Sequence, residues 1–406
     1  MNWMQDHKMR WVIATLLVLL MGGCGTTHKK HDEWMSQADG RWKQMRSGLM
    51  LNMAQQQFDT GDLDESEKTV RDAIELDPAN PGLHLLAGRI ALERGKLERA
   101  YGRINNAIKL DPKMALAHYF QGIVLQRWKQ LEPALEQYRK AYELQPDNVN
   151  YLLATGEMLV ATEHDDQALQ LLKSSLDYFG QSAGLRAAIG QIYMVRQDYT
   201  HAVPFLRQAS LMAPDDLQVA EDLATAEFAA GNPLDAMRNF RRLCTEPKLS
   251  DRADLFIALG QCYEKLGQFD KAETAYRKVT RAHPEQGEAW IRLGEIALAK
   301  NDLNTAALAA NRAIKASPDR AQGYLLQGMV SQKRGHTQQA LHAFDQAAKL
   351  TPQDASPLIL RGLALEQAGH LSDAIVEYQQ ALRREPADQR VRQLLARATS
   401  EHETTP

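Results

Sequence analysis

Prolines at Pro78, Pro112, Pro146, Pro214, Pro284, Pro318, Pro352 and Pro386 recur along most of the chain, and most of the gaps between them are 34 residues or a multiple of 34. A chain that repeats one short unit in this way is confined to stacked architectures, in which each copy buries its faces only against its neighbours. The unit is clearest from Gly260 to Pro284, where Gly260, Tyr263, Gly267, Ala272, Tyr276 and Pro284 mark small, aromatic, turn, small, aromatic and proline positions. Counted from Ser47, ten copies run 47–80, 81–114, 115–148, 149–182, 183–216, a longer 217–252, then 253–286, 287–320, 321–354 and 355–388.

Each recurring residue has a physical reason. Position 8 is glycine in eight copies and alanine at Ala54 and Ala224; position 20 is alanine in every copy but the first, which has Ser66. Glycine inside a helix costs about 0.5–1 kcal/mol relative to alanine, so its return at one spot implies a backbone approach that offsets the loss. Position 15 is Gly61, Gly95, Gly231, Gly267, Gly335 or Gly369, with Asn301 in the eighth copy, as a left-handed helix cap requires. The prolines at position 32 cannot continue a helix and close the second one.

This pattern resembles the tetratricopeptide repeat and covers about 340 of the 406 residues. The resemblance implies an all-α fold, a right-handed superhelical solenoid of about ten helix-turn-helix repeats. It divides the chain into repeats 1–6 (47–252), repeats 7–10 (253–388) and a capping helix and tail (389–406), with Arg390, Arg392, Gln393 and Arg397 on the cap's outer face. Two copies depart from the pattern. Repeat four has Gly180 in place of proline, so Asp177–Phe179 turn by another route, and repeat six carries two extra residues around Pro247–Arg252, where a bend or hinge is expected.

Residues 1–23 have the layout of a targeting segment: Lys8 and Arg10, an apolar run from Trp11 to Met21 too short to span a bilayer, then Gly22, Gly23 and Cys24. Gly22-Gly23-Cys24 resembles the lipobox of bacterial lipoproteins, which implies acylation of Cys24 as the first mature residue. Gly25 follows it where inner-membrane retention uses aspartate, which by the same resemblance implies an outer-membrane location facing the periplasm. Residues 24–46 are then a lipidated tether and lead-in helix, whose Trp34, Ala38, Trp42 and Met45, continued by Leu49, are expected to pack as core on the first repeat, a membrane-interface role for the two tryptophans being the alternative.

The formal net charge is −3; removing residues 1–23, with Lys8, Arg10 and Asp6, leaves −4. That mixed, mildly acidic surface has no footprint for nucleic acid. Nearly every residue is allotted to a repeat, no phosphate loop, HExxH or GxSxG occurs, and His164, Asp165 and Asp166 fall in a turn. No enzyme activity, cofactor or metal is therefore expected.

What remains is binding. The family geometry implies a concave groove lined by positions 2, 5, 9 and 12 of each first helix. There repeats two to five place Leu85, Arg89, Leu92, Leu116, Tyr119, Ile123, Leu153, Glu157, Val160 and Met194; repeats six to eight place Glu221, Asp254, Glu264, Glu288 and Glu295 beside Phe228, Ile257, Ile291 and Leu298. An apolar groove that turns acidic suits an extended or helical partner segment, basic where it meets the acids. Position 5 holds no lysine, so the carboxylate clamp of chaperone-binding repeats is absent. The family geometry also sets Cys244 and Cys262 face to face across a repeat seam, which implies a disulfide, with two free buried thiols as the other outcome. The function these features imply is a membrane-anchored scaffold for partner proteins in an envelope machine: pilus or secretin, exopolysaccharide export or cell-wall assembly. The alternative is a periplasmic ligand- or polysaccharide-binding lipoprotein.

Overall fold

The structure, a computed structural model, describes residues 24–404, all of whose regular elements are helical. The expected leader lies outside the described residues. The first elements are α1 (Cys24–Asp59), α2 (Leu63–Leu76), α3 (Pro81–Glu93), α4 (Leu97–Leu110), α5 (Ala115–Arg127), α6 (Leu131–Leu144), α7 (Val149–Ala161), α8 (Asp165–Ser174) and α9 (Ala183–Val195). They continue as α10 (Tyr199–Met212), α11 (Leu217–Ala229), α12 (Pro233–Leu243), α13 (Ala253–Lys265), α14 (Phe269–Ala282), α15 (Gly287–Ala299) and α16 (Leu303–Ala316). The last are α17 (Ala321–Lys333), α18 (Thr337–Leu350), α19 (Ser356–Gln367), α20 (Leu371–Arg384) and α21 (Gln389–Thr404). Ten hairpins, each a first helix and a second, match the ten repeats, and two compact units divide at Ile192 and Tyr193.

Inside a hairpin, the glycine at position 8 lies against the side chain at position 24. A Cβ on Gly260 would sit 2.5 Å from the ring of Tyr276, one on Gly328 2.3 Å from Phe344, and one on Gly362 2.4 Å from Tyr378. In the first unit Gly122 meets Tyr138 at 2.7 Å, and Gly88 meets Ile104 at 2.5 Å. These distances leave no room for a methyl group, which explains the recurrence of glycine despite its helix cost. Repeat eight shows the rule by exception. Its position 24 is Ala310, too small to reach Gly294, and Leu326 of the next repeat fills the space, 2.3 Å from where a Cβ would stand.

All ten turns take the left-handed conformation at position 15. Six are glycines, as expected, and Asn301 follows at φ 63°. Lys129 (φ 59°), Glu163 (62°) and Gln197 (59°) adopt it too, so three turns carry strain that a glycine would relieve. A second device escapes the repeat pattern. The carbonyl of the closing proline is met by a donor at position 4 of the next repeat: Trp290 Nε1 donates to Pro284 O at 2.9 Å, and the Nε2 atoms of His84 and His118 lie 2.9 and 3.1 Å from Pro78 O and Pro112 O. Position 4 therefore satisfies an end-of-helix acceptor.

Where the repeat departs, the helices change. In repeat four α8 stops at Ser174, short of the usual length, and residues 175–182 turn before α9. The extra residues of repeat six form a short 3-10 turn, Pro247–Leu249, after a shortened α12. Around them Phe240, Leu243, Cys244, Leu255, Phe256 and Cys262 pack in one apolar cluster with Leu249 against it. At the C-terminus α21 buries Val391 and Ala398 and leaves Arg390, Arg392, Gln393 and Arg397 exposed, as a cap requires. At the other end α1 is one continuous helix, but Trp34, Trp42, Met45 and Leu49 are exposed and not packed as core: nothing precedes the first repeat to cover them among the described residues.

The glycine contacts and the strained turns have opposite mutational signs. Gly260→Ala should lower stability by about 1–3 kcal/mol through overpacking against Tyr276. Lys129→Gly should raise it by up to about 1 kcal/mol by relieving the left-handed strain. Urea unfolding of the two variants beside the parent checks both directions.

Candidate functional site

The first helices of each unit are tied side by side by polar bridges between groove positions. In the first unit Arg89 Nη1 donates to Gln55 Oε1 at 3.1 Å, and Gln126 Nε2 to Glu157 Oε1 at 2.9 Å. In the second unit Gln261 Nε2 donates to Glu288 Oε1, and Gln332 Nε2 to Gln367 Oε1, both at 3.0 Å. Residues from neighbouring repeats at positions 2, 9, 12 and 13 therefore share one face within each unit, the face on which sequence places the groove.

In the first unit that face is less open than its apolar sequence implies. Leu85 and Leu92 are buried, and Arg89, Tyr119, Ile123, Leu153 and Val160 are half-buried; Leu116 is exposed. Tyr119 is engaged on three sides, its ring centroid 5.0 Å from Tyr151, 5.6 Å from Tyr138 and 5.7 Å from Phe120. Burial, and after it the charge of Glu157, pushes the Tyr119 hydroxyl up. Arg89 lies between Phe58 and Phe120, its guanidinium carbon 4.6 and 5.0 Å from their centroids, and desolvation draws its pKa down. These side chains hold repeats together as much as they present a surface.

The second unit places Met194 half-buried and the acids in two groups. Glu221 and Asp254 are both taken by Arg252: its Nη1 and Nη2 donate to Glu221 Oε2 at 3.1 Å and Oε1 at 2.8 Å, and its Nε to Asp254 Oδ1 at 2.9 Å. The hydrogen bond from Arg252 holds Asp254 below the usual carboxylate range. Arg252 lies in the turn before α13, outside the groove positions, so the sequence stripe gave no sign of this neutralisation.

Glu264, Glu288 and Glu295 form the second group, with one guanidinium, that of Arg292, among them; its Nη1 is 3.4 Å from Glu295 Oε2. Desolvation is the largest influence on both Glu264 and Glu295 and raises each, against the pull of Arg292. Glu295 still keeps 45% of its side-chain surface exposed. A carboxylate partly desolvated yet still reached by water gains from a cation brought to it. Ile257 and Ile291, which the sequence places beside these acids, are buried.

Cys244 and Cys262 are both free, in place of the disulfide that the family geometry implied. They share the apolar cluster around Phe240 and Tyr263, where burial pushes the thiols up to about 11 and about 12. The thiolate that would start the exchange is thus scarce in the folded chain, and both cysteines serve as small hydrophobes. His164, Asp165 and Asp166 begin α8, with His164 Nδ1 3.1 Å from Thr162 Oγ1.

Helix hairpins repeating about every 34 residues, joined through glycine contacts and bridged along one face within each unit, define an α-helical repeat protein. The chain belongs to the tetratricopeptide repeat family: the Cilia and flagella-associated protein 70 C-terminal domain model, itself of these repeats, matches residues 113–406, and a tetratricopeptide repeat model matches residues 51–115. A curated relative, "Protein CTR9 homolog" of Arabidopsis thaliana, is 28% identical over 113 residues, which are 28% of this chain and 10% of that protein. The chain thus spans about a tenth of the relative it matches. Among solved structures, a tetratricopeptide repeat protein from Parabacteroides merdae is 19% identical, covering 63% of this chain and 99% of that one at a TM-score of 0.45. PilW, described as a widely conserved type IV pilus biogenesis factor, is 18% identical, covering 50% and 92%, at 0.44.

The buried thiols give a direct test. In a Cys24→Ser chain, Cys244 and Cys262 should resist a maleimide in the native state and take up two labels once denatured without reductant. A denatured, unreduced chain that takes up no label contradicts the free thiols.

Proposed function

We propose that this chain is a lipid-anchored envelope scaffold, tethered through Cys24 and facing the periplasm, that holds a basic segment of a partner protein on the first-helix face of its second unit. The observation that supports this most is the group Glu264, Glu288 and Glu295, three carboxylates with the Arg292 guanidinium among them and the Lys265 ammonium acting on Glu264, on a face where Glu295 stays open to water. A lysine or arginine of the partner laid between Glu264 and Glu295 relieves the desolvation and repulsion that raise them. Sugar stacking, the alternative reading, is less favoured because Tyr119, the aromatic of the apolar stretch, spends its faces on Phe120, Tyr138 and Tyr151. The anchor rests on the Gly22-Gly23-Cys24 sequence and the charged start before it. The pathway that the scaffold serves is among those that tether extended protein segments at the envelope.

The raised carboxylates fix the sign of a pH effect. Because the free protein holds Glu264 and Glu295 above their ordinary value, a basic segment that lowers them releases protons on binding. Binding should therefore tighten as pH rises through the raised range and weaken as it falls below.

To test the reading, the detergent-extracted protein is used to recover its partner at low and moderate salt, and Glu288→Lys with Glu295→Lys is compared with the parent. The double reversal should reduce partner affinity by about tenfold or more, with the larger difference at low salt. Unchanged recovery at both salt levels would remove the second-unit face from the account. Tyr119→Ala is a poor probe of binding, since it also removes packing against Tyr138 and Tyr151.

A further inference from the structure

In repeats two to eight, position 3 of the first helix is Leu83, Ala117, Tyr151, Leu185, Val219, Leu255 or Ala289, all buried. In the first repeat it is Leu49, 67% exposed, and the next core position, Met53, is 49% exposed. The open face continues up α1 through Met45 at 66%, Trp42 at 49% and Trp34 at 63%, with Met35 and Ala38 beside them. At 100° per residue these seven residues fall within an arc of about 100° and run roughly 30 Å along the helix. Arg41 and Arg46 lie just outside opposite edges of the arc, both exposed, and Arg46 stacks 5.2 Å from the centroid of Trp42. Asp39 lies further round and is paired with Lys43 at 2.8 Å.

We propose that this stripe of α1 is a membrane-contacting surface that lies in the headgroup region of an anionic lipid leaflet. Two tryptophans, three methionines and a leucine with arginines at both margins make an interfacial helix, whose aromatic rings sit at headgroup depth and whose cations meet lipid phosphates. A second copy of the chain is a worse occupant, because helices paired along this stripe would bring like-charged margins together. The face also starts within ten residues, roughly 15 Å of helix, from Cys24, the first residue of α1. The proposal deepens the anchored reading and rests on it only for placing α1 at a membrane. Laid flat, α1 would fix the first repeats beside the leaflet, whereas a tether by acyl chains alone would leave them free to swing.

The test uses residues 24–406, without Trp3, Trp11 and the apolar run Trp11–Met21 in parent and variants alike, reconstituted into vesicles of phosphatidylethanolamine and phosphatidylglycerol, with and without bromine on the acyl chains. Tryptophan fluorescence of the parent should be quenched by the brominated lipid, and most of that quenching should vanish in Trp34→Phe/Trp42→Phe, which keeps Trp128 and Trp290. In a Cys24→Ser background, Trp34→Glu/Met45→Glu/Leu49→Glu should lower flotation with these vesicles by about tenfold or more, and phosphatidylcholine vesicles should hold the Cys24→Ser parent less well. All three substitutions are at exposed sites, and circular dichroism confirms that the helices persist. Equal quenching in parent and Phe variant overturns the proposal. So does a particle of twice the chain mass that the Glu variant halves, which would assign the stripe to a second copy. The mass of the Cys24 peptide separates the two readings: an acylated Cys24 with unquenched tryptophans keeps the anchor and removes the surface, and an unmodified Cys24 with quenched tryptophans does the reverse.

Discussion

The backbone of a glycine pressed against a side chain sixteen residues later is the contact on which six of the ten hairpins depend. With Gly260 against Tyr276, Gly328 against Phe344 and Gly362 against Tyr378, the two helices approach more closely than any side chain at position 8 would allow. The ring is wholly buried in each case, so the contact combines dispersion with the removal of a large apolar surface from water. Gly294 shows that the requirement is for filled space and not for an aromatic ring, since Leu326 from the next repeat fills it where Ala310 falls short. The same substitution shifts part of the stabilisation from within a repeat to the seam between two.

That close approach determines which residues are left for binding. The second helix of a hairpin covers one side of the first, and the next repeat covers another, so positions 3, 8 and 10 vanish into the core while positions 2, 9 and 12 keep contact with water or with one another. On that remaining strip the chemistry is local. Arg252 is ion-paired to both Glu221 and Asp254, one charge against two, whereas Arg292 is ion-paired to Glu295 while Glu264 and Glu288 stand beside it. The uncompensated acids are the part of the strip that a ligand would improve. Where the repeat series begins, the same rule leaves the other side of α1 bare, because no earlier hairpin covers Leu49 and Met53 among the described residues.

The repeat itself was legible in the sequence because its signals are backbone requirements: glycine for contact, glycine or asparagine for a left-handed turn, proline for a stop. Lys129, Glu163 and Gln197 were not legible, since the rest of the repeat forces a left-handed turn on residues that do not prefer it. The donors His84, His118 and Trp290 were hidden for a different reason, as unlike side chains at position 4 do one task. For the site, periodicity located the acidic strip but not its neutralisation by Arg252, because a long side chain from a turn reaches across positions that a helical count keeps apart. At Pro247–Arg252 the two-residue insertion was legible, but not the apolar cluster that packs around it, because its members lie on helices to either side.

Site-specific photo-crosslinking in cells tests the central claim most directly. A benzophenone side chain placed at Glu295, on the first-helix face, is compared with one at Thr274, exposed on the second helix of the preceding repeat. The account predicts a covalent adduct of defined mass from position 295, lost when salt is raised before irradiation, and none from position 274. An adduct from position 274 with none from 295 would contradict it, and would move the binding surface to the second helices.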